Sequence, residues 1–174
     1  MDIKNKKVVV LAADNYQELE LWYPVLRMRE AGAKVTIAGE KASHIYRSRL
    51  GYEIKTDKKV SGLTVDAIDA LIIPGGYAPD TMRINSDIIK LVQALFKQNK
   101  CVAAICHAAW VLVSAGILKD KKSTCYHTIR DDVRNAGAHY LDEAVVVDGN
   151  LITSRQPDDL PMFCQAIIKQ LSYQ

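Results

Sequence analysis

The sequence predicts an α/β fold with a mostly parallel central sheet, and three observations predict it. Short apolar runs at 8–13, 70–73 and 102–105 show no polar alternation, the pattern of strands covered on both faces. Between them lie longer stretches with apolar residues at helical spacing. The β and α patterns alternate along the chain, which favours a parallel sheet built from crossover units. With 174 residues and 49% hydrophobic content, the chain can bury one sizeable core, so residues 1–174 are read as a single domain.

The elements follow in order. Val8 to Ala13 is the first central strand. After a turn at 14–17, Leu19, Trp22, Val25 or Leu26 and Met28 mark a helix that Gly32 ends, with Pro24 near its beginning. Lys34 to Ala38 is the second strand. Residues 40–62 break the rhythm, and the alternation at Tyr52-Glu53-Ile54-Lys55 predicts a small hairpin excursion. The core resumes at Ala70 to Ile73, followed by a glycine-containing turn. A helix over 87–98, with Ser86 as N-cap, leads into the strand at 102–105. A helix from 107 to 115 comes next, and another spans 129–136 before Gly137. Val145 to Thr153 reads as a hairpin turning at Gly149. Leu160, Phe163, Ile167 and Leu171 line one face of a closing helix.

Composition narrows the function. Twenty-three basic against twenty acidic residues give a net charge of +3 without a dense basic run, which argues against nucleic-acid or membrane binding. Four scattered cysteines, Cys101, Cys106, Cys125 and Cys164, fit neither a disulfide scaffold nor a zinc module. The charged N-terminus lacks a signal-peptide core and no apolar span is long enough for a membrane helix, so a reduced, cytoplasmic protein is expected. There is no phosphate-loop or dinucleotide fingerprint. Neither an organic cofactor nor a metal is implied.

The chemistry concentrates at Cys106-His107. A thiol at a strand-to-helix junction sits at the carboxyl end of the sheet in a sharp, sparsely populated turn, where the helix N-terminus favours thiolate. Cys106 is therefore the candidate nucleophile, against the alternative of a small buried hydrophobe. Pro74-Gly75-Gly76 follows the preceding core strand, where glycine lets backbone N–H groups face an oxyanion, although by itself the segment reads more simply as an ordinary turn. Cys125, Tyr126 and His127 follow another strand; a pocket or structural role is favoured there over a Cys-x-His zinc pair. Trp22 and Trp110 are expected in core or subunit contacts, and Asp131 and Asp132 as first-turn helix carboxylates.

Leu19-Glu20-Leu21-Trp22-Tyr23-Pro24, Pro74 to Asp80, Ala103 to His107, Ile129 to Ala138 and Thr153 to Pro161 resemble, in order, the motifs of the PfpI branch of the ThiJ/PfpI superfamily. The resemblance runs from about Lys7 to Leu171 and is far more specific for family than for substrate. It implies a flavodoxin-like three-layer sandwich with Cys106 on a nucleophile elbow. It further implies a dimer or hexamer in which His107 meets a carboxylate of an adjacent subunit, matched here by Asp80. Gly75, Gly76 and the amide of His107 or Ala108 would supply oxyanion donors. Two departures stand out. Aligning the first βα loop puts Gln17 where the superfamily usually has a glutamate against the cysteine, and Ala108-Ala109 stand where the branch commonly has Gly-Pro. Glu18 is not expected to substitute, and Arg155 is expected near the pocket mouth or tying the closing helix to the sheet.

The function implied is glyoxalase III or protein deglycase chemistry on small reactive carbonyls or glycated protein, slowed by Gln17 unless His107 or His127 takes over as base. An intracellular cysteine peptidase acting on peptides is the alternative. A third reading is a redox or stress sensor working through oxidation of Cys106.

Overall fold

The computed structural model describes residues 3–173. Strand β1 (Lys7–Leu11) leads to helix α1 (Glu18–Glu30) and strand β2 (Lys34–Gly39). A hairpin of β3 (Ile45–Arg47) and β4 (Glu53–Lys55) follows, then β5 (Lys58–Lys59) and β6 (Ala70–Ile73). Helices α2 (Ala78–Met82) and α3 (Ser86–Lys97) precede β7 (Cys101–Ile105) and α4 (Ala109–Ala115). Strand β8 (Lys122–Ser123), helix α5 (Arg130–Asn135), and strands β9 (His139–Tyr140), β10 (Val145–Asp148) and β11 (Leu151–Ser154) lead to the closing helix α6 (Leu160–Ser172).

The main sheet runs β10-β11-β7-β6-β1-β2-β5, parallel throughout except for β10. Strands β6 and β7 are buried along their whole length, so the sheet is covered on both faces. One cover is α1 packed with α6, and the other is built from α2, α3, α4 and α5. From β1 the chain steps to β2 on one side and later returns to β6 on the other. The carboxyl ends of β1, β6 and β7 therefore border the crevice where such sheets bind ligands.

The excursion at 40–62 contains the expected hairpin, with Tyr46 opposite Ile54. The hairpin at Gly149 also forms, with Asp148 opposite Leu151 and a positive φ of 62° at the glycine. Three local expectations are corrected. Asn85, not Ser86, caps α3, because its side chain accepts from the N–H groups of Asp87 and Ile88. The segment after Gly76 is not all turn, since 78–82 is helical with Pro79 at its start, where a missing N–H costs nothing. Pro24 lies within α1, which continues through it, and its missing N–H leaves the carbonyl of Glu20 without the usual helical donor.

Candidate active site

Cys106 occupies the first position after β7, at the start of a one-turn 3₁₀ segment that runs into α4. Its φ is +63°, a conformation that side chains with a Cβ adopt at a cost of order 1 kcal/mol or more. That turn, expected from the strand-to-helix junction, aims the thiol across the carboxyl end of the sheet. Only 7% of the residue is exposed, and it borders a cavity of about 390 Å³.

Beneath the cavity lies Glu20, fully buried in the first turn of α1. Its Oε2 accepts the Gly75 N–H at 2.9 Å, and its carboxyl hydrogen-bonds the Cys106 side chain. Oε1 is buried with no hydrogen-bond partner. Burial raises the carboxyl to about 7, against the opposing pull of the Cys106 and Gly75 hydrogen bonds. The same burial, reinforced by the negative charge of Glu20, pushes the Cys106 thiol well above its ordinary range. The backbone N–H groups of His107 and Gly76 point at the sulfur and oppose that rise. Carboxyl and thiol thus titrate as neighbours, the carboxyl near neutrality and the thiol well above it.

Glycine is required here for approach. A Cβ on Gly75 would strike the Glu20 carboxylate and would lie 2.7 Å from Cys106 Cβ. Gly76 adds a positive φ of 76° and would meet the backbone of 15–17. Its partner across an isolated bridge is Tyr16.

His107 Nδ1 lies 3.3 Å from the sulfur and Nε2 lies 3.4 Å from Thr128 Oγ1. The ring sits between Trp110 and Tyr126, each 5.1 Å away by centroid. Trp110 is in turn held by an indole N–H bond to Asp132 at 2.8 Å. Burial, helped by the charge of His127, lowers the His107 pKa, so the imidazole is neutral at pH 7. A resting imidazolium–thiolate pair is therefore disfavoured from both sides.

Residues 6–170 match the DJ-1/PfpI family. This chain belongs to the DJ-1/PfpI family. It is 42% identical to a protein of Thermococcus kodakarensis named Deglycase TK1284, over 95% of this chain and 99% of that one. It is 40% identical to YraA of Bacillus subtilis, provisionally named a cysteine protease, over 91% of this chain and 94% of that one. The crystal structure of Drosophila melanogaster DJ-1beta superposes with a TM-score of 0.91 at 30% identity, covering 98% of this chain and 92% of that one. The family and its α/β fold with a mostly parallel sheet agree with the expectation from the sequence.

Within this DJ-1/PfpI fold, Cys106, His107, Gln17, Gly76 and Tyr126 all border the cavity. The expectation that a glutamine replaces the carboxylate beside the cysteine is wrong. Gln17 is the N-cap of α1, its Oε1 accepting from Glu20 N at 2.9 Å, and the carboxylate against the thiol is Glu20, three residues on. The sequence offered a signal, since Glu20 is an acid on the apolar stripe of an amphipathic helix, aligned with buried Leu21 and Pro24.

Gly75 is not a free oxyanion donor, because its N–H is engaged by Glu20. Ala108 is buried inside the 3₁₀ turn. His127 is exposed and stacks on Tyr126 at 4.4 Å. Asp80 is exposed in the first turn of α2. Arg155 bridges Asp159 at the start of α6 and Asp142, at 3.0 and 2.9 Å, which ties the closing helix down beside the pocket residue Pro157. No described helix is long and apolar enough to cross a membrane.

Proposed function

We propose that this DJ-1/PfpI protein is a cysteine-dependent enzyme acting on 2-oxoaldehydes and the early adducts they form with proteins. The observation that carries this reading is the buried Glu20 carboxyl, raised to about 7 and hydrogen-bonded to the Cys106 side chain. A group that holds or releases a proton near neutral pH suits general acid–base work. Cys106 adds to the aldehyde carbon as its proton passes to Glu20, and the carbonyl oxygen becomes the hydroxyl of a hemithioacetal. Glu20 delivers that proton to the forming oxygen, then takes the hydrogen from the same carbon as a proton and returns it to the neighbouring ketone carbon, while the hemithioacetal hydroxyl proton passes to the ketone oxygen through the enediol. The aldehyde carbon is oxidised to a thioester while the ketone is reduced to an alcohol, so no external redox partner is needed. Water cleaves the thioester to the hydroxy acid and restores the thiol. The N–H groups of Gly76 and His107, which point at the sulfur, are the donors this reading assigns to the charge on the adding oxygen.

The test is lactate formation from methylglyoxal by wild type, Cys106→Ser and Glu20→Gln. Turnover in wild type, with loss of 100-fold or more in both variants, is expected. Full activity in Cys106→Ser would falsify the mechanism.

A peptidase is the second reading, favoured by His107 Nδ1 lying 3.3 Å from Cys106 Sγ. It would need the imidazole to take the thiol proton, against the downward shift of its pKa. A casein-type assay run in parallel separates the two. We further propose that the protein self-associates, in a cytoplasmic setting that keeps its four cysteines free, and that Asp80 of a second copy orients His107. The exposure of Asp80 supports this.

A further inference from the structure

We propose that Arg49 is an anion subsite of the Cys106 cavity, so that the preferred substrates are 2-oxoaldehydes that also bear a carboxylate or phosphate; this rests on the carbonyl chemistry proposed above. Arg49 lies in the turn between β3 and β4 and borders the same cavity as Cys106. Its main chain is fixed. The Arg49 N–H donates to the Tyr16 carbonyl at 3.1 Å, the Leu50 N–H donates to Glu18 Oε1 at 2.7 Å, and Ser48 forms a bridge with Tyr16. The hairpin is thus bound to the loop that precedes the catalytic helix.

The guanidinium is treated differently. Among the described residues no hydrogen bond or ion pair holds it, and the charge it feels is that of Glu18, whose carboxylate already accepts from Leu50. Arg47, two residues earlier, is by contrast engaged by Glu53 at 2.7 Å. Among the residues around the cavity Arg49 is the one fixed positive charge, and the one acid, Glu20, is buried at the base. An open guanidinium fork on the cavity that also holds Cys106 is suited to bidentate capture of a carboxylate or phosphate. The cavity of about 390 Å³ equals the share of roughly a dozen waters at ~30 Å³ each, far more than a three-carbon dicarbonyl needs.

The experiment measures kcat/KM for methylglyoxal, for 4,5-dioxopentanoate, which adds a carboxylate to the same head group, and for 3-phosphooxy-2-oxopropanal. Wild type, Arg49→Met and Arg49→Lys are compared, with thermal unfolding as a check on the fold. Wild type is expected to favour at least one anionic substrate over methylglyoxal by tenfold or more. In Arg49→Met that ratio should fall at least tenfold, through KM, with partial recovery in Arg49→Lys and erosion by salt. The anion with the larger loss identifies carboxylate or phosphate as the group bound. A ratio within twofold of wild type in Arg49→Met overturns the proposal. Should no substrate turn over, the carbonyl reading fails by itself, and the subsite is read from alkylation of Cys106 by iodoacetamide. Protection by glutarate or glycerol phosphate that is lost in Arg49→Met upholds it, and equal labelling in both proteins overturns it.

Discussion

Gly75 and Glu20 fix one another: the Gly75 N–H meets Glu20 Oε2 at 2.9 Å across a separation of 55 residues, with the Cys106 Cβ just behind the glycine. A side chain at position 75 would displace both the carboxylate and the thiol. Gly75→Ala is therefore expected to cost about 1–3 kcal/mol of stability, as overpacking does, and to reduce turnover more steeply than it reduces stability. Denaturant unfolding beside methylglyoxal kinetics checks this, and a fully active, equally stable variant would contradict the packing.

The raised pKa of Glu20 ties stability to pH with a definite sign. An acid whose folded-state pKa lies above its unfolded value stabilises the fold fully below the unfolded pKa, and that stability drains away as pH rises through the folded one. Here the window runs from about 4.5 to about 7, and the loss amounts to on the order of 3 kcal/mol. Glu20→Gln keeps an acceptor for Gly75 and removes the titration. It should be more stable than wild type at pH 8, with the advantage shrinking at pH 5. Paired chemical denaturation at the two values reads the difference.

Activity should follow the same group. If Glu20 receives the thiol proton as proposed, it must be ionised to do so, and kcat/KM for methylglyoxal should rise through pH 7 in wild type. A profile flat from pH 6 to 8 would remove Glu20 from the proton path.

Gln17→Glu should not raise turnover, since the carboxylate at the thiol is already present. The new charge, one helical turn from Glu20, should push the Glu20 pKa further up and move the rising limb of the pH profile to higher pH. A rate increase at pH 7 would count against this account of the loop.

At position 106 the backbone strain separates two inactive variants. Cys106→Ala keeps a Cβ at a φ of +63°, whereas Cys106→Gly relieves it. The glycine variant should be the more stable of the two by about 1 kcal/mol, measured by thermal or urea unfolding.

Most of the fold was legible because it rests on local patterns. The buried runs of β6 and β7 and the stripe on α6 need no knowledge of distant partners. The placement of Cys106 at the mouth of the sheet was legible for the same reason, since strand, thiol and helix are contiguous. Glu20 was misread because its role is set by a partner at Gly75, which one-dimensional spacing does not display, and because an alignment shifted by three residues selects Gln17, on nearly the same face of the helix. The thiol's upward shift was missed for a related reason. The pull of backbone N–H groups can be foreseen from a helix start, but burial and a neighbouring carboxylate cannot.

The β3–β4 hairpin has its own ladder and lies outside the main sheet, joined to the turn before α1 by a few bonds such as Asn15 N to Arg47 O at 2.7 Å. The arginine proposed to select a reactant and the groups proposed to transform it therefore reside on different elements. Exchange of the tip of this hairpin between relatives, with the buried Tyr46 and Ile54 retained, offers a route to new selectivity.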